Sequence, residues 1–277
     1  MYFEDIPCYT QFEEVKQCVA KTVLSVCDTA EFWGSDIYGL KDIYDLYGTP
    51  YEDIIPAFLD CRHDECDNGM RGTLFRFQLT EPLRQHILDE SLTCMFGGEP
   101  PLLENLTLFQ GEKCLFSCVS HEVFSLYHMA EVDDSLKDAV LSQVNDTIKK
   151  MPLYGQMQKI ALGLKNKAKA KLKKEIRILL DLCWYVDEAV HYYFYMKPSQ
   201  PCDFGAYKKL AREYLTEETY SVLLPLNDFA DLQPLPVPKT ASEAIDHRDK
   251  FAPQYLQSGY FRQVERELRM LGSIMKL

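Results

Sequence analysis

Apolar residues recur at intervals of three and four along much of the chain, the spacing that places them on one face of a helix. Together with local start signals, these stripes predict helices at residues 10–28, 81–88, 134–151, 207–215, 217–224 and 259–274. Thr10 and Glu13 have the spacing of a capping box, so the first helix is expected to begin at Thr10. A further helix start is predicted at Thr49, which precedes a proline and two acidic residues.

The longest apolar stripe runs through a lysine-rich segment and on into an apolar one. It steps by three or four residues through Leu164, Ala168, Leu172, Ile176, Leu179, Cys183, Val186 and Val190. Because the stripe keeps its register, it predicts one continuous helix over residues 156–196, ended by Pro198. We expect the lysine-rich half of this helix to be solvated and the apolar half to be surrounded by other helices.

Several segments in the first half are typical of strands and turns instead. Residues 73–79 alternate between apolar and polar, which predicts a half-buried strand. Residues 106–109 and 114–120 flank a four-residue connection and predict a β-hairpin, with a further strand at 123–129. Residues 61–72 are polar and contain Asn68-Gly69, which predicts a loop.

These elements predict an α+β fold, with a small antiparallel sheet and helices in the N-terminal part and a mainly helical C-terminal part organised on one long helix. The predicted organisation is an acidic α+β region over residues 1–152, a helical region over 153–230, a proline-rich connector at 231–239 and C-terminal helices over 240–277. The C-terminal helices are expected to pack back, so that the whole chain can form one compact unit.

Charge is distributed unevenly along the chain. The formal net charge of the 277 residues is −12. Residues 1–150 contain 11 lysines and arginines against 27 acidic residues, a balance of −16, whereas residues 151–277 contain 19 against 15, a balance of +4. This asymmetry predicts either attraction between the two regions or an acidic surface that meets a basic partner.

The N-terminal sequence and the cysteines predict a cytoplasmic location. The chain starts MYFEDIPCYT, which has neither the basic nor the apolar segment of a secretory signal. No apolar run approaches the ~20 residues of a membrane-spanning helix, so no membrane association is expected. The ten cysteines are therefore expected to be reduced and mostly buried thiols.

A block of six lysines between Lys165 and Lys174 is a candidate site for an anion or a nucleic acid. Its candidate contact residues are Lys169, Lys171 and Lys173. Lysines at alternate positions, however, fall on opposing sectors of a helix rather than on one stripe. Nucleic-acid-binding domains are usually basic overall, and this chain is acidic. The pattern thus favours a solvated or intramolecular role for the lysines and disfavours nucleic acid.

The segment from Cys61 to Cys66 is a candidate zinc site, because Cys61, His63 and Cys66 provide three ligand types that zinc prefers. Cys114 and Cys118 are candidates for the fourth ligand. On a strand, residues four apart lie about 13 Å from each other, so the two cannot both bind one ion. The alternative is a polar turn with thiols that bind no metal.

The region from Ser120 to His128 is a candidate for acid–base or hydrolase chemistry. His121 and Glu122 have the side chains of a general acid–base pair, but on a strand they would point to opposite faces. The chain has none of the patterns of a nucleophile elbow, a phosphate-binding loop or a zinc protease. A Cys–His hydrolase pairing remains an alternative, without a spacing that selects its nucleophile.

The apolar half of the long predicted helix contains two further candidates. Glu188 and His191 form one E-x-x-H motif, of which a di-iron site needs two. No other histidine has a glutamate three residues before it. Trp184 and Tyr192 belong to an aromatic cluster that can form a core, a pocket or a partner interface.

The sequence resembles no family and contains no complete catalytic pattern. We therefore expect a cytoplasmic binding or regulatory protein, without chemistry or cofactor of its own, that meets a protein partner through its acidic surface. The alternative is a hydrolase or a zinc- or iron-dependent enzyme that uses one of the three candidate regions. A further alternative is anion or nucleic-acid binding by the lysine block, Lys165–Lys174. The sequence specifies neither the partner nor the oligomeric state.

Overall fold

The computed structural model describes residues 5–9, 11–35, 40–65, 71–90, 102–118, 134–191, 204–225 and 260–277. The chain divides into two compact units, Met1–Ile148 (unit 1) and Lys149–Leu277 (unit 2). The predicted α+β class is confirmed: unit 1 contains a small antiparallel sheet with helices, and unit 2 is helical in its described part. The predicted connector at 231–239 and the strand at 123–129 lie outside the described residues.

The sheet of unit 1 has five antiparallel strands in the order β2-β3-β1-β4-β5. The strands are β1 (Thr29–Ser35), β2 (Phe58–Glu65), β3 (Arg71–Gln78), β4 (Glu104–Gln110) and β5 (Lys113–Ser117). One face carries much of the core of this unit, because Ala30 and Phe32 of β1 lie beside Phe77 and Phe75 of β3. All four side chains are fully or almost fully buried.

The central strand β1 was not predicted from the sequence. Phe32 and Trp33 are consecutive and point to opposite faces, yet both are buried. A strand buried on both faces shows no alternation of polarity, so the period-2 signal is missing. The strand exists because β3 and β4 bond to it from both sides.

The prediction of a polar loop at residues 61–72 is wrong, because most of this segment is strand. Residues 61–65 belong to β2, and Arg71 begins β3. Cys61 lies opposite Phe75 and His63 lies opposite Thr73 in the antiparallel pair. β2 is an end strand of the sheet. Pairing of its backbone with β3 alone is enough to form the strand, and its polar side chains remain in solvent, so no apolar alternation is required.

The predicted strand at 73–79 and the predicted hairpin are confirmed. β3 buries Phe75 and Phe77 and leaves Gln78 exposed. The hairpin of β4 and β5 closes through the two residues Gly111 and Glu112, a shorter turn than the predicted four residues. Gly111 has φ +60°, a conformation that glycine adopts without the strain of a side chain.

Unit 1 also contains the helices α1 (Glu13–Leu24) and α2 (Glu81–Asp89) and all but the last two residues of α3 (Asp134–Lys150), and the presence of each helix was predicted. The prediction that the first helix begins at Thr10 is wrong, because α1 has Phe12 as its N-cap and no capping hydrogen bond from a side chain; Thr10 itself lies outside the described residues. The helix expected at Thr49 is a 3-10 helix, Glu52–Ala57, which contains Pro56. Another 3-10 helix precedes it at Ile43–Leu46.

Unit 2 contains α4 (Pro152–Leu164), α5 (Lys169–His191), α6 (Phe204–Tyr214), α7 (Glu217–Ser221) and α8 (Tyr260–Met275). The helices predicted at 207–215, 217–224 and 259–274 are thereby confirmed, with shifted ends. α8 packs against both α4 and α5. Val264, Leu268 and Leu271, which lie on the predicted apolar stripe of this helix, are fully buried.

The prediction of one continuous helix over 156–196 is wrong, because the chain breaks between α4 and α5 at residues 165–168. The predicted stripe is buried on both sides of the break at Leu164, Leu172, Ile176 and Leu179. Within a continuous helix the lysines would stand four residues apart on shared faces, where like charges destabilise. The turn instead lets the Lys167 amine reach two carboxylates.

No helix within the described part of the chain combines the length and the apolar character needed to cross a membrane. The first part of the predicted C-terminal helices, residues 240–259, falls outside that part.

Candidate functional site

The first 3-10 helix of unit 1 is held by its own acidic side chains. The Asp42 carboxylate accepts a hydrogen bond from the amide of Tyr44 at 3.0 Å, and Asp45 accepts one from the amide of Asp42 at 3.1 Å. This reciprocal capping box satisfies amides that a short helix leaves without partners. Ile43 and Leu46 are buried, so the remaining side chains of the helix must point to solvent.

The outward side of this helix presents two stacked tyrosines. The rings of Tyr44 and Tyr47 lie 5.9 Å apart between centroids and 5° from parallel. Each residue is 64% exposed. Single exposed aromatic residues are common on protein surfaces, but adjacent ones on a rigid element form an apolar patch that water does not solvate well.

The second 3-10 helix extends this surface towards α2. The amide of Gly48 donates to Glu52 at 3.0 Å, and Asp53 accepts from the His86 ring at 2.9 Å. The Tyr51 ring meets the His86 ring edge to face at 5.0 Å. Hydrogen bonds therefore hold residues 48–53, which follow the two tyrosines, in place against α2.

We call this region the tyrosine–acid surface, defined by Tyr44, Tyr47, Asp42, Asp45, Glu52 and Asp53. All six residues are exposed. Residues 42–53 contain four acidic residues and no lysine or arginine. A carboxylate that accepts a backbone hydrogen bond still has acceptor capacity on its second oxygen, so the surface combines apolar rings with acidic side chains.

The lysine block of unit 2 makes contacts within the protein. Lys167 donates to Glu213 at 2.8 Å and to Glu175 at 3.0 Å, and its amine lies 4.9 Å from the centre of the Tyr214 ring. Lys169 donates to the carbonyl of Lys276 at 3.2 Å. Among the other candidates, Lys171 lies 3.8 Å from Glu175 and Lys173 is exposed.

The contacts around Lys167 shift the pKa values of the groups involved. Partial burial opposes the charge of Lys167, yet hydrogen bonds with Glu213, Glu175 and Tyr214 raise its pKa above the ordinary value. Burial would raise the pKa of Glu175, but the bonds it accepts from Tyr214 and Lys167 lower it. Burial and the bond to Glu175 raise the pKa of Tyr214 to about 12. The cluster therefore joins the turn before α5 to α6 over a wide pH range.

Raising the pH above about 10 is expected to destabilise the wild-type protein more steeply than a Tyr214→Phe variant. The pKa of Tyr214 is about 12 in the folded protein and about 10 in an unfolded chain. Between these values only the unfolded chain has lost the proton, so stability falls as the pH rises through this window. Urea unfolding at a series of pH values from about 9 to 11.5 measures the difference.

Tyr220→Phe is the control for this experiment, because Tyr220 lies outside the Lys167 cluster and should keep the wild-type slope. Equal slopes for the wild type and the Tyr214→Phe variant would contradict the assignment of the alkaline loss to Tyr214.

Of the candidate zinc ligands that the structure describes, Cys61 and His63 lie on β2, whereas Cys114 lies on β5 at the opposite end of the sheet and Cys118 directly follows it. Cys61 is an exposed free thiol, and His63 Nδ1 lies 3.1 Å from Thr73 Oγ1. The two residues share one face of the strand, whereas Cys66 lies outside the described residues. In the part of the chain that the structure describes, no three potential ligands come together to hold a metal ion.

The other candidates fall mostly outside the described residues. This is the case for the whole region from Ser120 to His128, with His121 and Glu122, and for Tyr192. Helix α5 contains Trp184, Glu188 and His191. The acid–base, di-iron and aromatic-interface interpretations therefore stay predictions.

Sequence reasoning missed the tyrosine–acid surface and the Lys167 cluster. A signal for the former existed, since Tyr44, Tyr47 and Tyr51 recur at intervals of three and four among acidic residues. That spacing is also typical of a buried helix face, so the sequence could not show that two of the rings are exposed. The partners of Lys167 on α6 lie more than 40 residues away, and no local pattern indicates them.

No protein-family model matches this chain, and no curated protein or solved structure matches it. Its function is therefore inferred from its residues and their geometry.

Proposed function

We propose that this protein is a cytoplasmic binding protein, without catalytic chemistry of its own, that docks a basic segment of a protein partner on the tyrosine–acid surface. The observation that carries the proposal is the exposed stacked pair of Tyr44 and Tyr47 on a capped helix. Tyrosine is enriched at protein interfaces because it offers a large apolar contact area at a low cost in side-chain entropy.

The charge around the two rings indicates the chemistry of the partner. A guanidinium group stacks on an aromatic face and at the same time pairs with carboxylates. The tyrosine–acid surface offers both contacts, from Tyr44 and Tyr47 and from Asp42, Asp45, Glu52 and Asp53. An arginine-bearing segment therefore fits better than a lysine-bearing one, because ammonium groups are more strongly hydrated and do not stack.

Two further observations support this proposal. The balance of −16 over residues 1–150 accelerates the encounter with a cationic partner at moderate ionic strength. The six cysteines whose side chains the structure describes are all free thiols, namely Cys8, Cys18, Cys27, Cys61, Cys114 and Cys118. Free thiols are characteristic of proteins in a reducing compartment.

A Tyr44→Ala/Tyr47→Ala variant is expected to bind an arginine peptide roughly 5- to 30-fold more weakly than the wild type, because two cation–π contacts at exposed sites are lost. The probe is a fluorescein-labelled peptide of alternating arginine and glycine, about 12 residues long, and fluorescence anisotropy measures its affinity for the full chain. The Tyr44→Phe/Tyr47→Phe variant keeps both rings and should retain wild-type affinity.

Two controls separate this site from attraction to net charge. A lysine–glycine peptide of the same length should bind the wild type more weakly than the arginine peptide, and the double alanine variant should lose this preference. Asp42→Asn/Asp45→Asn should weaken binding more than Glu13→Gln/Glu14→Gln, which removes the same charge from α1. If the arginine peptide does not bind, or if both charge variants weaken binding equally, the proposal fails.

A further inference from the structure

β2 is an end strand of the described sheet, and most of its side chains are exposed to solvent. It is eight residues long, and β3 is its neighbour in the strand order. All five residues from Leu59 to His63 are exposed, including the apolar Leu59 at 48%. In an antiparallel pair only alternate residues bond to the neighbouring strand, so half of the backbone amides and carbonyls of an end strand point away from the sheet. Such an edge is a template for another strand.

The charges on β2 indicate which strand fits there. Asp60 and Arg62 are two residues apart and lie on the same face of the strand. When two copies of β2 pair antiparallel about Cys61, Asp60 of each copy lies opposite Arg62 of the other. An edge with charges of one sign repels a second copy, whereas this arrangement creates two opposite-charge pairs.

We propose that β2 pairs with β2 of a second copy of this chain, with Cys61 opposite Cys61 and Asp60 opposite Arg62. Pairing centred on Arg62 would instead place Arg62 opposite itself and Asp60 opposite Asp64, and both contacts are repulsive. The Arg62 side chain bonds to Glu31 within one copy at 3.3 Å but is 68% exposed, so it can also meet Asp60 of the other copy.

The proposed contact is small. Two eight-residue edges bury less than the area of a standard protein interface. The dimer therefore forms at micromolar or higher concentrations and exchanges with the monomer. This pairing uses a surface different from the tyrosine–acid surface and does not depend on the proposed function.

The first test is a charge swap, read out by sedimentation equilibrium of the full chain. Asp60→Arg and Arg62→Asp should each raise the dimer dissociation constant about tenfold or more, because two attractive pairs become repulsive. The Asp60→Arg/Arg62→Asp double variant should restore dimerisation. Within one copy the double variant places like charges near Arg76 and Glu31, so only pairing between copies explains a restoration.

The second test uses the wild-type side chains at the edge. Mild oxidation with oxidised glutathione should link two chains through Cys61, and the Cys61→Ser variant should remove this link. A Cys61→Ser/Glu112→Cys variant places an exposed thiol in the turn between β4 and β5. Two chains of this variant should form a disulfide about tenfold more slowly, because the pairing of β2 does not hold the thiol at position 112 opposite its counterpart in the other copy. A register centred on His63 would separate the two thiols by more than about 13 Å.

A chain that stays monomeric at several hundred micromolar overturns the proposal. So does a double charge variant that dimerises no better than the single variants, or a Cys61 link that forms no faster than the control link.

Discussion

Replacing Glu267 by alanine is expected to lower the free energy of unfolding by about 3 kcal/mol or more. Glu267 lies on α8 and is 0% exposed. Its carboxylate accepts from the Thr216 amide at 2.7 Å, from the Thr216 hydroxyl at 2.7 Å and from the Thr219 hydroxyl at 2.5 Å. Each buried donor that loses its acceptor costs about 1–3 kcal/mol.

The position of Glu267 explains why a buried carboxylate is tolerated there. Thr216 is the N-cap of α7, so the carboxylate meets one amide and two hydroxyls at the start of this helix. Gln263, one turn earlier on α8, also donates to it at 3.3 Å. Hydrogen bonds to a charged acceptor are about twice as strong as those between neutral groups, which offsets the cost of burial.

Two variants control the experiment. Glu267→Gln keeps the shape but replaces one acceptor oxygen by an NH₂ group, so it should lose an intermediate amount of stability. Glu265→Ala on the same helix removes a partly exposed pair with Arg269 and should cost less than about 1 kcal/mol. Urea unfolding followed by circular dichroism measures all three. A loss for Glu267→Ala no larger than that for Glu265→Ala would contradict the role of the carboxylate.

Replacing Gly72 by alanine is expected to cost about 3 kcal/mol or more, for a steric reason. A Cβ atom at this position would lie 2.3 Å from Trp33 Nε1, 2.5 Å from Trp33 Cε2 and 2.6 Å from the Gly34 carbonyl oxygen. Trp33 is buried in the central strand β1, and the Gly34 carbonyl belongs to the backbone of the same strand. Neither can move without disturbing the pairing of β1 with β3.

Gly155→Ala is the matched control for Gly72→Ala. Gly155 lies in α4, and apart from its chain neighbours and the nearby backbone of its own helix no atom stands within 4 Å of the position that its Cβ would occupy. The same change should therefore stabilise the protein by about 0.5–1 kcal/mol, since alanine favours a helix more than glycine does. Thermal or urea unfolding of both variants provides the comparison. Losses of similar size at the two positions would show that the contact with Trp33 is not the cause.

The helices were predictable because their signal is local. α3 buries Leu136, Val140, Val144 and Ile148, the residues that repeat at intervals of four in its sequence. The turn of the hairpin was equally predictable, because Gly111 lies between two apolar runs in the sequence. The charge excess of residues 1–150 was also countable, and it motivated the expectation of an acidic surface. The stacked tyrosines on that surface were not predictable, since a tyrosine at helical spacing is equally compatible with a core.

The local pattern of residues was sufficient to predict the helices with a clear apolar stripe, the strand at β3, the hairpin and the uneven distribution of charge. Packing between distant parts of the chain instead decided that β1 lies at the centre of the sheet, that β2 is a strand at its end, and that the chain breaks before α5. It also decided that the Glu267 carboxylate is buried. The reason is physical: periodicity and charge belong to neighbouring residues, whereas strand order and the burial of polar groups depend on partners far away in the chain.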